Sequence, residues 1–235
     1  MQQTKTICTS LLLLTCSSTA LAMGGDDPML AKWMINQLES RDANAGAAHG
    51  LEAQAWFGKD LNKLWLKTET EHRDGEFEDV ELQSLYSRAI APFWDAQFGW
   101  RREIKPKPDR DWLVVGVQGL SPYFFETEAA LFIGDNGRTA ARLDAEYDIL
   151  LTQRLILTPE IEINVYGQDD EEVDIGSGLS DVNAGLRLRY EVVREFAPYI
   201  GVEWWKKYGN TADLARAIDV DTDDLQLVLG VRAWF

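Results

Sequence analysis

The chain has 235 residues, with 39 Asp and Glu against 23 Lys and Arg, and its formal net charge at pH 7 is −16. This length suits one substantial domain or two small ones, and the acidity argues against a nucleic-acid-binding surface, because phosphate recognition needs clustered basic groups. An acidic protein attracts cations instead. Aromatic residues make up 11% of the chain, with nine Trp, a content typical of the girdles that flank a membrane interface.

Residues 1–22 have the composition of a secretory signal peptide. Lys5 supplies the positive start, residues 7–15 form a short apolar core, and a small-x-small cleavage site ends at Ala22. Lipoprotein processing at Cys16 is the alternative. Both cysteines lie inside this segment, so the mature protein is expected to hold neither a disulfide nor a thiolate metal site. Outside this segment, no apolar run reaches the roughly eighteen residues that a transmembrane helix needs.

Residues 23–55 differ in composition from the rest of the chain, and we predict a short periplasmic segment that is partly helical or flexible. Met29 and Trp33 are at helical spacing after an Asp-Asp-Pro start, and residues 44–50 are rich in Gly and Ala, as in a linker. Thioether and imidazole groups are ligands that copper prefers. Packing within a small helix is the alternative explanation for the methionines. The candidate copper ligands are Met23, Met29, Met34 and His49.

From residue 56 onward the chain alternates apolar and polar residues, which predicts about ten strands. The predicted strands are residues 60–72, 78–90, 95–104, 112–120, 124–133, 139–149, 155–168, 181–193, 198–206 and 223–235. The connections between these strands fall into two alternating classes. One class is short, around Pro92, Pro122, Thr152 and Phe196. The other varies in length and includes the longer connections at residues 105–111, 168–180 and 207–222. Short turns at one end and long loops at the other are typical of outer-membrane β-barrels.

The last predicted strand has two unlike faces. Leu225, Leu227 and Leu229 begin an apolar face, while Gln226 and Arg232 belong to a face that mixes polar, small and aromatic residues. A terminal strand of this kind is typical of the closing strand of a barrel that contacts lipid outside and a lumen inside. The alternative is an edge strand of a soluble β-sandwich.

In the central predicted strands, one face is apolar and the opposite face carries the charged residues. In a barrel these charges would fill the lumen, and they are expected to form a network of ion pairs rather than a site for acid catalysis or copper. We therefore predict an all-β fold, a transmembrane antiparallel up-and-down barrel that spans residues 56–235. The predicted lumen network comprises Arg142, Asp144, Glu146, Asp148, Glu160, Glu162, Arg187, Arg189 and Glu191.

No enzyme is indicated by the motifs of the chain, which lacks a nucleophile elbow, a metalloprotease helix, a phosphate loop and a Cys cluster. An outer-membrane hydrolase would need a histidine at the rim, and His72 is the candidate, with no evident partner. The acidic runs at 169–172 and 219–224 are expected to be solvated loops. A second interpretation is divalent-cation bridging to the sugar phosphates of the outer leaflet.

Eight motifs together resemble the copper resistance protein B family, over about residues 56–235. They are LYSRAIAPFWD (85–95), GVQGL (116–120, followed by Pro122-Tyr123), AARLDAEYD (140–148), LTQRLIL (151–157), GSGLSD (176–181), GLRLRYE (185–191), EFAPYIGV (195–202) and TADLAR (211–216).

The resemblance implies a barrel in the bacterial outer membrane that lowers copper stress, with lipid around it and a periplasmic multicopper oxidase as a partner. Members of the family often carry a long Met- and His-rich stretch before the barrel. In this chain only the four candidate ligands stand in its place. Binding or transport of copper ions is therefore the first hypothesis, and a structural or small-solute barrel without copper binding is the alternative.

Overall fold

The computed structural model describes residues 27–43, 46–73 and 75–235, so the predicted signal peptide lies outside the described residues. Thirteen strands form within this part of the chain, and twelve of them close into an antiparallel up-and-down barrel. They are β1 (Leu30–Ala43), β2 (Gly46–Lys59), β3 (Asn62–Arg73), β4 (Glu76–Ala91), β5 (Trp94–Lys105), β6 (Arg110–Ser121), β7 (Phe125–Gly134), β8 (Thr139–Glu146), β9 (Ile149–Leu150), β10 (Leu155–Tyr166), β11 (Gly178–Tyr190), β12 (Phe196–Lys207) and β13 (Asp223–Trp234). The two-residue β9 pairs only with β10 and lies outside the ring.

Helical structure is confined to the connections between strands. Two 3-10 turns cover Pro122–Phe124 and Asp135–Gly137, and one α-helix, α1 (Gly209–Ala217), precedes β13. In the described part of the chain, no helix has both the length and the apolar character needed to cross a membrane.

The barrel has twelve strands rather than the ten predicted, and the two additional strands come from the N-terminal segment. All of β1 and residues 46–55 of β2 lie in the segment 23–55, which we expected to be partly helical or flexible. The register of β1 shifts between Ile35 and Leu38, as at a β-bulge. One extra residue interrupts the alternation of inward and outward side chains, and this hides the period of two that marks a strand.

Closure joins the first strand to the last. The Trp33 N–H donates to the Phe235 carbonyl at 3.0 Å, and the Phe235 N–H donates to the Trp33 carbonyl at 2.8 Å. We call this the turn end, since it holds connections such as residues 92–93 and 122–124. The opposite, loop end holds the two longest connections, residues 167–177 and 208–222. This asymmetry agrees with the prediction from sequence.

Large apolar side chains point outward from the barrel wall. Leu225, Leu227 and Leu229 are 66%, 65% and 63% exposed, as the two faces of the last strand predict. Aromatic side chains crowd the turn end, where Phe93 and Tyr123 are among the most exposed. In water this surface would be costly, whereas hydrocarbon favours it.

The interior is partly filled by a compact apolar cluster. Trp65, Leu85, Trp112 and Phe132 are buried within it, and Met34 packs against it. Elsewhere close packing depends on glycine, because a Cβ added at Gly230 would lie 2.6 Å from the Tyr199 ring. The remaining interior is polar and forms the candidate site.

Candidate functional site

A polar cavity of about 490 Å³ occupies the barrel lumen. Its walls come from the inward faces of the barrel strands, since successive side chains of a strand alternate between the two faces of the wall. Fourteen Asp and Glu residues and eight Lys and Arg residues line it, a formal balance of −6 (8 − 14). The lumen is therefore both ionic and acidic.

Arg187 on β11 organises one group of interior ion pairs. Its guanidinium contacts Glu39 Oε1 at 2.6 Å, Glu160 Oε2 at 2.6 Å and Glu203 Oε2 at 2.8 Å. The Tyr199 hydroxyl also donates to Glu39 Oε1, at 2.8 Å. Four strands are joined by this Arg187 cluster, because its charged members belong to β1, β10, β11 and β12.

A second group of ion pairs surrounds Glu81 on β4. Glu81 Oε2 lies 2.6 Å from Arg101 Nη2 and 3.3 Å from Arg142 Nη2. Arg142 also approaches Glu162, at 3.7 Å, and the Arg101 guanidinium stacks 4.4 Å from the centre of the Phe132 ring. Each arginine therefore shares its charge among several acceptors, in a geometry that braces the wall.

The other residues of the predicted lumen network lie nearer the turn end. Arg189 pairs with Asp148 and donates to Thr158 Oγ1 at 3.2 Å, and Glu146 lies 3.5 Å from Arg232. Glu191 follows the end of β11, where its backbone N–H donates to the Arg154 carbonyl. Contrary to the prediction, neither Glu191 nor Asp148 is among the residues that line the cavity.

Six carboxylates form a grid on the inner faces of three neighbouring strands. On β7, β8 and β10, Glu128, Asp144 and Glu162 lie directly opposite one another, and Glu126, Glu146 and Glu160 form a second row. We call these six residues the acidic ladder. All of them line the cavity. Like charges directly opposite one another on paired strands are destabilising, so the ladder favours the approach of cations.

Cationic side chains neutralise only part of the acidic ladder. Lys67 reaches Glu128 at 2.5 Å, and arginines pair with three other members. Within the described residues, Asp144 and Glu126 have no cationic side chain at ion-pair distance. These two carboxylates are the unneutralised part of the acidic ladder.

The loop of residues 167–177 lies over the lumen at the loop end, and Val173 and Ile175 contribute to the cavity lining. Asp170 anchors it, accepting hydrogen bonds from Arg110 Nε at 2.9 Å and Arg138 Nη1 at 3.0 Å. Burial by itself raises the pKa of Asp170, but hydrogen bonds from Arg138 and Arg110 outweigh it and hold that pKa below its ordinary value.

The loop is also attached to α1. The Gly176 N–H donates to Thr211 Oγ1 at 2.9 Å, and Thr211 Oγ1 lies 3.0 Å from Ser180 Oγ. The side-chain amide of Asn210 donates to Asp169 at 3.1 Å. This second set of contacts fixes the loop from the side of the helix.

Comparison with known proteins identifies the family. The family model described as "Copper resistance protein B precursor (CopB)" matches residues 29–235. The chain belongs to the copper resistance protein B family. It is 44% identical over 210 residues to the "Copper resistance protein B homolog" of Pseudomonas syringae pv. tomato (strain ATCC BAA-871 / DC3000), covering 89% of this chain and 71% of the relative. It is also 44% identical over 202 residues to "Copper resistance protein B" of Escherichia coli, covering 86% and 68%.

Solved structures share the fold of this family member at low sequence identity. A NanC porin structure has a TM-score of 0.59 and 11% identity, covering 84% of this chain and 98% of the porin. The KdgM porin has a TM-score of 0.55 and 12% identity, covering 88% and 99%. At these identities the likeness concerns the porin-type barrel alone.

The three candidate copper ligands of this family member that lie among the described residues do not come together. Met23 lies outside the described residues. Met29 is 66% exposed just before β1, while Met34 packs inward against the apolar cluster. His49 is exposed on β2, directly opposite His72 on β3. Within the described ranges, no group of three or more His, Cys, Asp or Glu side chains is arranged to hold a metal ion.

Several lumen residues of this copper resistance protein B member were missed by the sequence reasoning. Glu39 and Arg41 belong to β1, which the composition assigned to the periplasmic segment, and Glu203 lies on a predicted strand whose charges were not assigned. A signal for β1 was present, because Gln37, Glu39 and Arg41 alternate with Leu38 and Ser40. Three alternations, next to a bulge, are too few to distinguish a strand from a loop.

Proposed function

We propose that this protein is an outer-membrane barrel that contributes to copper resistance by attracting copper ions into its acidic lumen and passing them across the membrane. Membership of the copper resistance protein B family and the porin-type fold support this role. The observation that carries the proposal is the acidic ladder, in which Asp144 and Glu126 face the lumen without a cationic partner among the described residues.

The proposed orientation places the turn end toward the periplasm and the loop end outside the cell. Outer-membrane barrels have short periplasmic turns and longer extracellular loops. Both ends of the described chain lie at the turn end, where Trp33 and Phe235 pair. In this orientation residues 167–177 lie over the outer mouth of the lumen.

Selection for cations follows from the lining. A narrow, low-dielectric lumen with excess negative charge concentrates cations and repels anions. Entry of a copper ion relieves the repulsion between opposing carboxylates of the ladder. Carboxylate oxygens are harder ligands than thioethers, so the lumen suits Cu(II) better than Cu(I). We therefore assign attraction and passage of cations, rather than catalysis, to this arrangement.

Transport into lipid vesicles tests the role of the ladder. Vesicles that contain the protein and an encapsulated copper indicator are mixed with Cu(II), and the initial rate of fluorescence change is compared between the wild type and Asp144→Asn/Glu126→Gln. We expect the double variant to be slower by on the order of tenfold, the lower end of electrostatic focusing effects. The control is Asp213→Asn/Asp219→Asn, which removes two exposed charges of the 208–222 connection and should leave the rate unchanged.

Potassium flux through the same vesicles separates copper transport from the alternative. If the ladder substitutions change neither the rate of K⁺ entry nor the rate of Cu(II) entry, the protein is a structural or small-solute barrel. If copper enters no faster than in protein-free vesicles, the transport proposal is wrong.

A further inference from the structure

The fold brings the only two histidines of the chain together. His49 lies on β2 and His72 on β3, and they are directly opposed partners in the antiparallel register. The centroids of the two imidazole rings are 6.4 Å apart. Neither side chain belongs to the lumen. His49 is exposed while Ala48 and Gly50 on either side of it are buried, which places its ring on the outer face of the wall.

The pair lies in a polar part of the outer face, close to the loop end. Exposed Ser40 is the partner of His49 on β1, and exposed Asp42 follows two residues later on the same strand. On the far side, Phe77 of β4 packs edge-on against His72, with centroids 5.2 Å apart. The register of β4 shifts at this point, so that Phe77 is directed toward His72. Water and dissolved ions therefore reach the rings, while Phe77 restrains one of them.

The spacing of the rings suits shared coordination of one metal ion. Opposed residues of an antiparallel pair have Cβ atoms about 4.5–5.5 Å apart, and imidazole nitrogens bind first-row metals at about 2.0–2.1 Å. With those bond lengths, two imidazoles on one ion have centroids about 4.5 Å apart at a right angle and about 6.4 Å apart when opposite. The observed centroid separation of 6.4 Å equals the larger of these two values, so the rings are close enough to share one ion, and His49 is exposed.

We propose that His49 and His72 form a two-imidazole site for a divalent transition-metal ion on the outer wall of the barrel, completed by water. Imidazole nitrogen favours Cu(II) over Ni(II) and Zn(II), following the Irving–Williams order. The proposal goes beyond lumen transport, because the site lies on the opposite side of the wall from the acidic ladder. The competing explanation is a cross-strand packing contact of two rings with Phe77.

Copper titration of the full-length protein in detergent, purified without a histidine tag, tests the site. Cu(II) binding is followed by calorimetry and by electron paramagnetic resonance, which detects hyperfine coupling to imidazole nitrogen. We expect one Cu(II) with two coupled nitrogens in the wild type. His49→Gln and His72→Gln should each weaken that binding by at least about tenfold, since loss of a residue that only orients a ligand already costs about 10- to 100-fold.

Two further variants make the result decisive. Asp144→Asn/Glu126→Gln should keep the two-nitrogen signal, which separates this site from the lumen whether or not the lumen transports copper. Phe77→Leu should retain binding, because Phe77 supplies no ligand atom. If His49→Gln/His72→Gln folds, as shown by circular dichroism, and binds Cu(II) with the same stoichiometry and signal as the wild type, the pair is a packing contact and the proposal is overturned.

Discussion

At the scale of single residues, the interior depends on arginines that each serve several carboxylates. Arg187 holds Glu39, Glu160 and Glu203 at 2.6–2.8 Å, and all but Glu160 of these four residues are buried. Taking such charges out of water is expensive, and their mutual attraction repays the cost only when the whole set is present. Removing the shared cation should therefore lower the free energy of unfolding more than removing a surface charge does.

Substitution of Arg187→Met should lower the free energy of unfolding by about 3–5 kcal/mol, the usual cost of leaving a buried charge unpaired. Guanidinium unfolding in lipid vesicles, followed by tryptophan fluorescence, measures it. Arg216→Met is the control, because Arg216 pairs with Asp213 on the exposed surface of α1, where ion pairs contribute little. Equal stability of the two variants would show that the Arg187 cluster does not brace the wall.

At the scale of elements, the loop of residues 167–177 is an attached cover rather than a free connection. Asp170 ties it to the start of β6 through Arg110 and to the β7–β8 connection through Arg138. Contacts with α1 hold its other side. The acidic run in this loop was predicted to be solvated, but Asp170 departs from that prediction because its carboxylate has two arginine partners.

The attachment of this loop should depend on pH in a definite direction. The pKa of Asp170 is lowered in the folded protein, so its contribution is complete above the ordinary aspartate pKa of about 3.9. That contribution is lost as the pH falls through the lowered value. A spin label at Glu171→Cys should therefore be restrained at neutral pH and gain mobility only below about pH 4.

Asp170→Asn provides the matched comparison for that measurement. Its label should be mobile at every pH, because the amide cannot form the charged hydrogen bonds with Arg110 and Arg138. A label whose mobility changes with pH in the same way in both variants would exclude Asp170 as the anchor.

At the scale of the whole molecule, the barrel is apolar outside and ionic inside. Leu225 and Leu229 on β13 are almost equally exposed, at 66% and 63%, but Leu225 lies near the loop end and Leu229 in the middle of the strand. If lipid surrounds the wall, the free-energy cost of a charge at each position depends on how deep that position lies in the bilayer. A sandwich in water would show no such dependence.

Leu229→Arg should destabilise the folded barrel in bilayers by about 2–4 kcal/mol, and Leu225→Arg by about 0–1 kcal/mol, because a charge costs most at the bilayer midplane. Unfolding free energies of the two variants in the same vesicles give the comparison. Equal costs, or a wild-type protein that stays monomeric in buffer without detergent, would contradict the membrane-spanning interpretation.

The sequence by itself determined the fold class, the family and seven of the 22 charged residues that line the lumen. Ten strands were predictable because period-two alternation is a local property, and the outward leucines of β13 follow from it directly. The resemblance to the copper resistance protein B family was carried by motifs of the same strands and was confirmed by the match over residues 29–235.

Only the tertiary structure decided which distant residues meet. The first two strands were obscured by a bulge in β1, and their place in the ring depends on pairing with β13, almost two hundred residues away. The acidic ladder and the His49–His72 pair depend on register between strands, which a single strand does not encode. Since a shift of one residue would turn every side chain to the other face, closure of the barrel determines which charges share the lumen and which histidines meet outside it.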